Sequence, residues 1–171
     1  MKTSLAQLNA ADCNDFVAVC GPLFEHSPWI AERTWPRRPF ATLDALHAAL
    51  CETMHAANLD EQVKLIASHP DLVGRLAREG RLTRESTAEQ SAAGLAQLSD
   101  DEIAAFDRYN NAYRDRFGFP FVICARENKK EAILAAFPVR LRNTREQEIA
   151  AALGEIAKIA RLRLLEGVSQ T

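Results

Sequence analysis

Apolar residues recur along this chain every three or four positions, the period of a helix with one face turned inward. Phe16, Val19, Cys20 and Leu23 share a face over about 11–24. Leu43, Leu46, Leu50 and Met54 do the same behind Thr42, a side chain suited to capping a helix N-terminus. Asp60 is read as opening a third helix, with Val63, Leu65 and Ile66 inward. His69-Pro70 closes it, because a residue before proline is driven out of the helical region. Further helices are predicted over about 86–98, 100–117, 127–141 and 145–166. Ser99-x-x-Glu102 and Thr144-x-x-Gln147 read as capping boxes, and Gly118 and Gly167 as stops. The stretch 27–40 is too rich in proline for a long helix, and only 119–125 reads as extended. No repeat, low-complexity tract or Gly/Ser linker interrupts the pattern. It predicts an all-α fold of seven or eight helices, as a single domain over residues 1–171.

Composition agrees with the pattern. Among 171 residues Ala occurs 29 times and Leu 19 times, while Gly and Pro occur 7 times each. A β-sandwich needs more turn and β-branched residues, and a disordered chain would lack the 47% hydrophobic content. The net charge of −2 leaves no excess of Lys and Arg to neutralise a phosphate backbone, which argues against nucleic acid as a partner. No apolar run is long enough to span a membrane. The N-terminal residues lack the apolar core of a signal peptide, and the last three form no peroxisomal signal, so a cytoplasmic location is expected. Four scattered cysteines without a CxxC pair read as buried thiols.

Candidate chemistry is sparse. Glu52-x-x-His55 is half of a di-iron motif whose second half is missing, so no metal is expected. Neither a dinucleotide nor a triphosphate loop occurs, and no nucleophile elbow. His69, fixed at a helix end by Pro70, suits an acid/base group, although a histidine at that place can simply answer the helix dipole. Glu89 can be explained as the last member of a Ser86-x-x-Glu89 capping box, with Thr87-x-x-Gln90 as the other register. Yet the small residues Ser91-Ala92-Ala93-Gly94 that follow suggest that something packs closely against this helix. Phe117-Gly118-Phe119-Pro120-Phe121-Val122-Ile123 is either core filling or the wall of a pocket offering backbone groups to a ligand. Arg161 and Arg163 lie two apart amid Ile and Leu, so one of them can point inward, where it requires an anionic partner.

In their order along the chain these stretches resemble a known family. His69-Pro70-Asp71-Leu72, Ser86-x-x-Glu89-Gln90-x-x-Ala93-Gly94-Leu95 and Asn110-x-x-Tyr113-x-x-x-Phe117-Gly118-Phe119-Pro120-Phe121-Val122-Ile123 carry the likeness. Phe24-Glu25-x-Ser27-Pro28-Trp29, Arg38-Pro39-Phe40, Arg140-x-Arg142-Asn143 and Ile159-Ala160-x-Leu162-Arg163 extend it over nearly the whole chain. The pattern is similar to that of the 2-oxo-4-hydroxy-4-carboxy-5-ureidoimidazoline (OHCU) decarboxylases of uric acid degradation.

The resemblance implies an all-helical homodimer that needs no cofactor and converts OHCU into carbon dioxide and (S)-allantoin. It implies that His69 is the catalytic acid/base and Glu89 its carboxylate partner. Substrate contacts are implied at Pro70, Ser86, Gln90, Phe119, Phe121, Val122 and Ile123, the last three through the backbone. Arg163 is implied to meet the negative charge of the substrate, with Arg161 as the alternative. Two competing expectations come from other classes: a non-catalytic binder of a ureide or purine product, and a helical interaction module.

Overall fold

The computed structural model describes residues 2–171, and the side chains of all of these except Arg75 and Leu76. It confirms the all-α class, with more helices than the pattern predicts: ten among the described residues. They are α1 (Leu5–Ala10), α2 (Cys13–Cys20), α3 (Trp29–Thr34), α4 (Leu43–Ala56), α5 (Leu59–Ala67), α6 (Arg75–Arg78), α7 (Arg84–Ala92), α8 (Asp100–Phe117), α9 (Lys130–Arg140) and α10 (Arg145–Gly167). Short 3-10 turns cover Gly21–Leu23, Trp35–Arg37 and Ala125–Glu127. Two strands of two residues, β1 (Thr3–Ser4) and β2 (Val168–Ser169), pair in parallel, Thr3 opposite Val168. No described helix is long and apolar enough to cross a membrane.

The chain forms two compact units, Met1–Ser68 with Ile156–Thr171, and His69–Glu155. In the first, α4 begins at Thr42, whose hydroxyl accepts the Ala45 N–H at 3.0 Å, and its predicted stripe of Leu43, Leu46, Leu50 and Met54 is buried. The helix expected over 11–24 is shorter. It starts at Asp12, which caps the Asp15 N–H, and gives way to a 3-10 turn at Gly21-Pro22, where proline fits the first positions of a new turn but not a helix interior. α5 opens two residues earlier than Asp60 suggests. Asn58 and Glu61 form a reciprocal capping box that uses both orphan donors, which makes Asn58 the N-cap. Arg38 ties the carbonyls of Asn9, Ala11 and Trp35, while Asn9 exchanges two hydrogen bonds with Phe40. The Arg38-Pro39-Phe40 stretch is therefore structural.

The second unit is built on α8. Ser99 and Glu102 form the predicted capping box, and Gly118 at φ +80° ends the helix by giving its N–H to the Arg114 carbonyl. The buried face of α8 presents Phe106, Tyr113 and Phe117 to an aromatic cluster. Phe137 of α9 stacks on Phe121 with ring centres 3.9 Å apart and meets Phe106 edge-on at 6.2 Å. α9 starts at Lys130 and not near Glu127, because residues 125–127 form a 3-10 turn. Residues 119–124 belong to no element. They are an irregular crossing segment, and among the described residues no strand pairs with them.

Candidate active site

α7 is where sequence pattern and structure part most usefully. Its N-cap is Thr83, whose hydroxyl accepts the Ser86 N–H at 3.2 Å. The N-cap therefore lies three residues before Ser86, and the helix begins at Arg84. Neither capping box forms: Thr87 donates to the Thr83 carbonyl at 2.9 Å, and Ser86 and Glu89 lie in the helix interior. The helix also stops early, at Ala92. Gly94 takes φ +81°, and the Leu95 N–H closes back on the Gln90 carbonyl, a turn that glycine makes at little cost.

This shift of register places Ser86, Glu89 and Gln90 on one face at i, i+3 and i+4, and all three are buried while most of the helix is exposed. An ordinary surface helix buries its apolar face. A buried polar stripe costs desolvation unless its groups are hydrogen-bonded; Gln90 is bonded to Val73, and Ser86 and Glu89 are partnered as well.

Two further segments meet this stripe. Gln90 accepts the Val73 N–H at 3.0 Å, which ties α7 to the His69–Val73 loop. That loop holds a buried His69, 7% exposed, and a Val73 at φ +56°. A β-branched residue in the left-handed region costs on the order of 1–3 kcal/mol and persists only where its surroundings impose it. Here the surroundings do: Asn110 donates to the Leu72 carbonyl at 2.8 Å, Arg78 to the Val73 carbonyl at 3.0 Å, and Arg114 Nε to both oxygens of Asp71 at 2.9 and 3.0 Å.

On its other side α7 packs against the 3-10 turn Ala125–Glu127, and Glu89 lies close enough to influence the Cys124 thiol. Burial, and after it the carboxylates of Glu127, Glu155 and Glu89, push that thiol up from its ordinary value. Cys124 ends the crossing segment, and its N–H donates to Glu155 Oε2 at 2.8 Å. Upstream, the Val122 carbonyl accepts from Arg140 Nη1 at 2.5 Å. Arg140 in turn lies 4.4 Å over the Phe121 ring and pairs with a fully buried Glu148, which also accepts from Tyr113 and from Asn143. Burial and the Glu148 carboxylate hold the Tyr113 phenol well above its ordinary value, so it stays a hydrogen-bond donor.

The segment is thus held at a carbonyl and at its end. The N–H groups of Phe119, Phe121, Val122 and Ile123 have no acceptor among the described residues. Phe119, Phe121 and Val122 are buried and Ile123 is half-buried.

The structure therefore brings His69 and Pro70, the Ser86–Glu89–Gln90 stripe and the 119–123 backbone into one unit. Arg163 belongs to the other. It is buried there, donating to Glu25 Oε2 at 3.0 Å and to the Pro22 carbonyl at 3.1 Å. It is thus the inward arginine that the spacing called for, with the anion it required. Arg161 bonds the exposed Asp44. His47 reads as structural, with its ring nitrogen on the Ala157 carbonyl at 2.8 Å. Glu52 of the half di-iron motif pairs with Arg37. Cys20 and Cys124 are buried as expected, whereas Cys13 and Cys51 are only half-buried. Sequence reading missed Asp71, Asn110, Arg114, Arg140 and Glu148 as site builders. The visible signal was their spacing: Asn110 and Arg114 stand four apart on α8, and so share a face.

A buried histidine, a buried glutamate and, among the described residues, a row of backbone N–H groups without an acceptor thus lie in one unit. Comparison with known proteins specifies the class. Residues 9–165 match the OHCU decarboxylase family. The 2-oxo-4-hydroxy-4-carboxy-5-ureidoimidazoline decarboxylase of Haloferax volcanii is 40% identical over 166 residues, covering 97% of this chain and 96% of that protein. The decarboxylase of Amia calva is 41% identical over 160 residues, 94% of this chain and 91% of that protein. The bifunctional uric acid degradation protein of Bacillus subtilis is 38% identical over 98% of this chain, which covers 33% of that protein. Among solved structures, (S)-allantoin synthase superposes with a TM-score of 0.77 at 28% identity, over 98% of this chain and 54% of that one. The chain belongs to the OHCU decarboxylase family, a family of carboxy-lyases, and the match runs through both units.

Proposed function

We propose that this protein decarboxylates OHCU to (S)-allantoin and that the groups gathered around α7 carry the chemistry. The substrate supplies its own electron sink. When carbon dioxide leaves the hydroxyl-bearing ring carbon, the bonding pair forms a double bond to the ureido-bearing carbon, and the pair of that carbon's C=N bond passes to the ring nitrogen, which takes up a proton. The hydroxyl proton must then be removed and a proton delivered to one face of the carbon bearing the ureido group. His69 is the acid/base for these transfers, and Glu89 orients the imidazole or binds the hydroxyl and ureido groups.

Ser86 and the Gln90 amide nitrogen hold polar groups of the substrate, since the Gln90 amide oxygen is spent on Val73. The N–H groups of Phe121, Val122 and Ile123 donate to the ring, and Phe119 and Pro70 wall it. A homodimer is the matching assembly, supported by the family resemblance, and a cytoplasmic location is part of the proposal. The observation that carries the reading is the buried polar stripe of α7, which no capping role explains.

OHCU decays without help to racemic allantoin, so chirality is the readout. Circular dichroism of allantoin formed from freshly generated OHCU should show an (S) excess only with the protein present. His69→Ala should abolish it, and Glu89→Gln should slow it by about 10²-fold or more. Saturable allantoin binding with no acceleration of OHCU loss would instead make this a binding protein and end the proposal.

A further inference from the structure

The His69–Val73 loop is anchored more heavily than the stability of a loop requires. Downstream, Asn110 holds the Leu72 carbonyl and Gln90 the Val73 N–H, and Val73 itself sits at φ +56°. Nearer the histidine, Arg114 presents Nε to both oxygens of Asp71 at 2.9 and 3.0 Å. That pair is partly exposed, 43% for the Arg114 side chain and 25% for Asp71, a setting in which ion pairs contribute little to folding. Only Pro70 separates Asp71 from His69, and its ring fixes one of the backbone torsions between the held carboxylate and the imidazole. Asn110 and Arg114 lie one turn apart on α8, the most regular element of the unit, which makes the two anchors one rigid bracket.

We infer that Arg114 is a positioning residue for His69: through Asp71 and Pro70 it sets the direction in which the imidazole meets the buried stripe of α7. The inference rests on His69 being the proton-transfer group.

The test uses the full chain and two readouts. The ring resonances of His69, identified by their loss in His69→Ala, report imidazole placement without any substrate. Formation of (S)-allantoin reports the chemistry. In Arg114→Ala the His69 resonances should move, kcat should fall about tenfold, the (S) excess should drop and KM should change less than about threefold. The melting temperature should stay within about 2 °C of wild type, because the pair is exposed. Asp71→Asn combined with Arg114→Gln should be no worse than either change alone, since both break one link.

Unmoved His69 resonances in Arg114→Ala overturn the inference. So does additive loss in the double variant, or a rise in KM with kcat unchanged, which would make Arg114 a substrate anchor. If wild type fails to accelerate OHCU loss, the functional proposal falls while the His69 resonances still decide the bracket.

Discussion

The Thr83 hydroxyl accepts the backbone N–H of Ser86 at 3.2 Å, and this one hydrogen bond sets the register of α7. It makes Thr83 the N-cap and releases Ser86 and Glu89 from the helix end into the buried face. Thr83→Ala removes that cap and should cost about 1 kcal/mol of stability. Urea unfolding checks this, read as a lower midpoint with an unchanged slope. An unchanged midpoint would mean that another group caps α7.

Glu148 has no exposed surface and is held by Arg140, Tyr113 and Asn143. Removing its cation should hurt more than removing a neutral donor. Arg140→Ala leaves a buried charge with neutral partners and frees the Val122 carbonyl, at a cost of about 3–5 kcal/mol. Tyr113→Phe keeps the ring in its aromatic cluster and loses one bond to a charged group, about 1.5–3 kcal/mol. Denaturant unfolding of both variants should give this ranking, and the reverse order would show that the phenol carries the network.

Arg163 and Glu25 form a second buried pair, at 3.0 Å with side chains 5% and 2% exposed. Arg163→Ala strands the Glu25 carboxylate and should destabilise by about 3–5 kcal/mol. Combining Arg163→Met with Glu25→Gln removes both charges and should recover more than half of that loss, measured by the same unfolding curve. Activity of a stably folded double variant then separates the ion pair from any role of Arg163 toward substrate.

Burial pushes the Cys20 thiol up to about 12. Only the thiolate alkylates, so at pH 8 about one Cys20 in ten thousand is reactive by the ordinary titration law. Native protein treated with iodoacetamide at pH 8 should leave Cys20 unlabelled, as read by peptide mass spectrometry, and unfolding should expose it. The sign also fixes a stability trend. The unfolded thiol ionises near its ordinary value of 9.0, whereas the folded one does not until about 12. Cys20 therefore favours folding fully below pH 9, and that contribution is lost as pH rises from 9 toward 12. Cys20→Ala should flatten this part of the stability curve.

Much of this protein was legible before its structure. The Thr42 cap, the Ser99-x-x-Glu102 box and the Gly118 stop are local: each depends on side chains within one turn of the backbone groups they satisfy, so spacing alone reveals them. The ordered motifs also grouped His69, Glu89, Gln90 and residues 119–123, and the fold carries them in one unit. Boundaries failed where two local solutions compete. Asn58 and Asp60 can both start α5, and Thr83 and Ser86 can both start α7. Geometry chose the one whose next turn buries the right face.

The sequence by itself determined the helical class, most helix centres and the residue types of the site, because these follow from the 3.6-residue period and from short-range capping. Tertiary structure decided what those residues do. Only packing shows that Glu89 is a buried side chain and not a cap, that Arg163 faces Glu25, and that Val122 is held by Arg140 eighteen residues away. Partners so distant in sequence leave no periodic signal, because their meeting depends on how whole helices dock and not on the rise and turn of one.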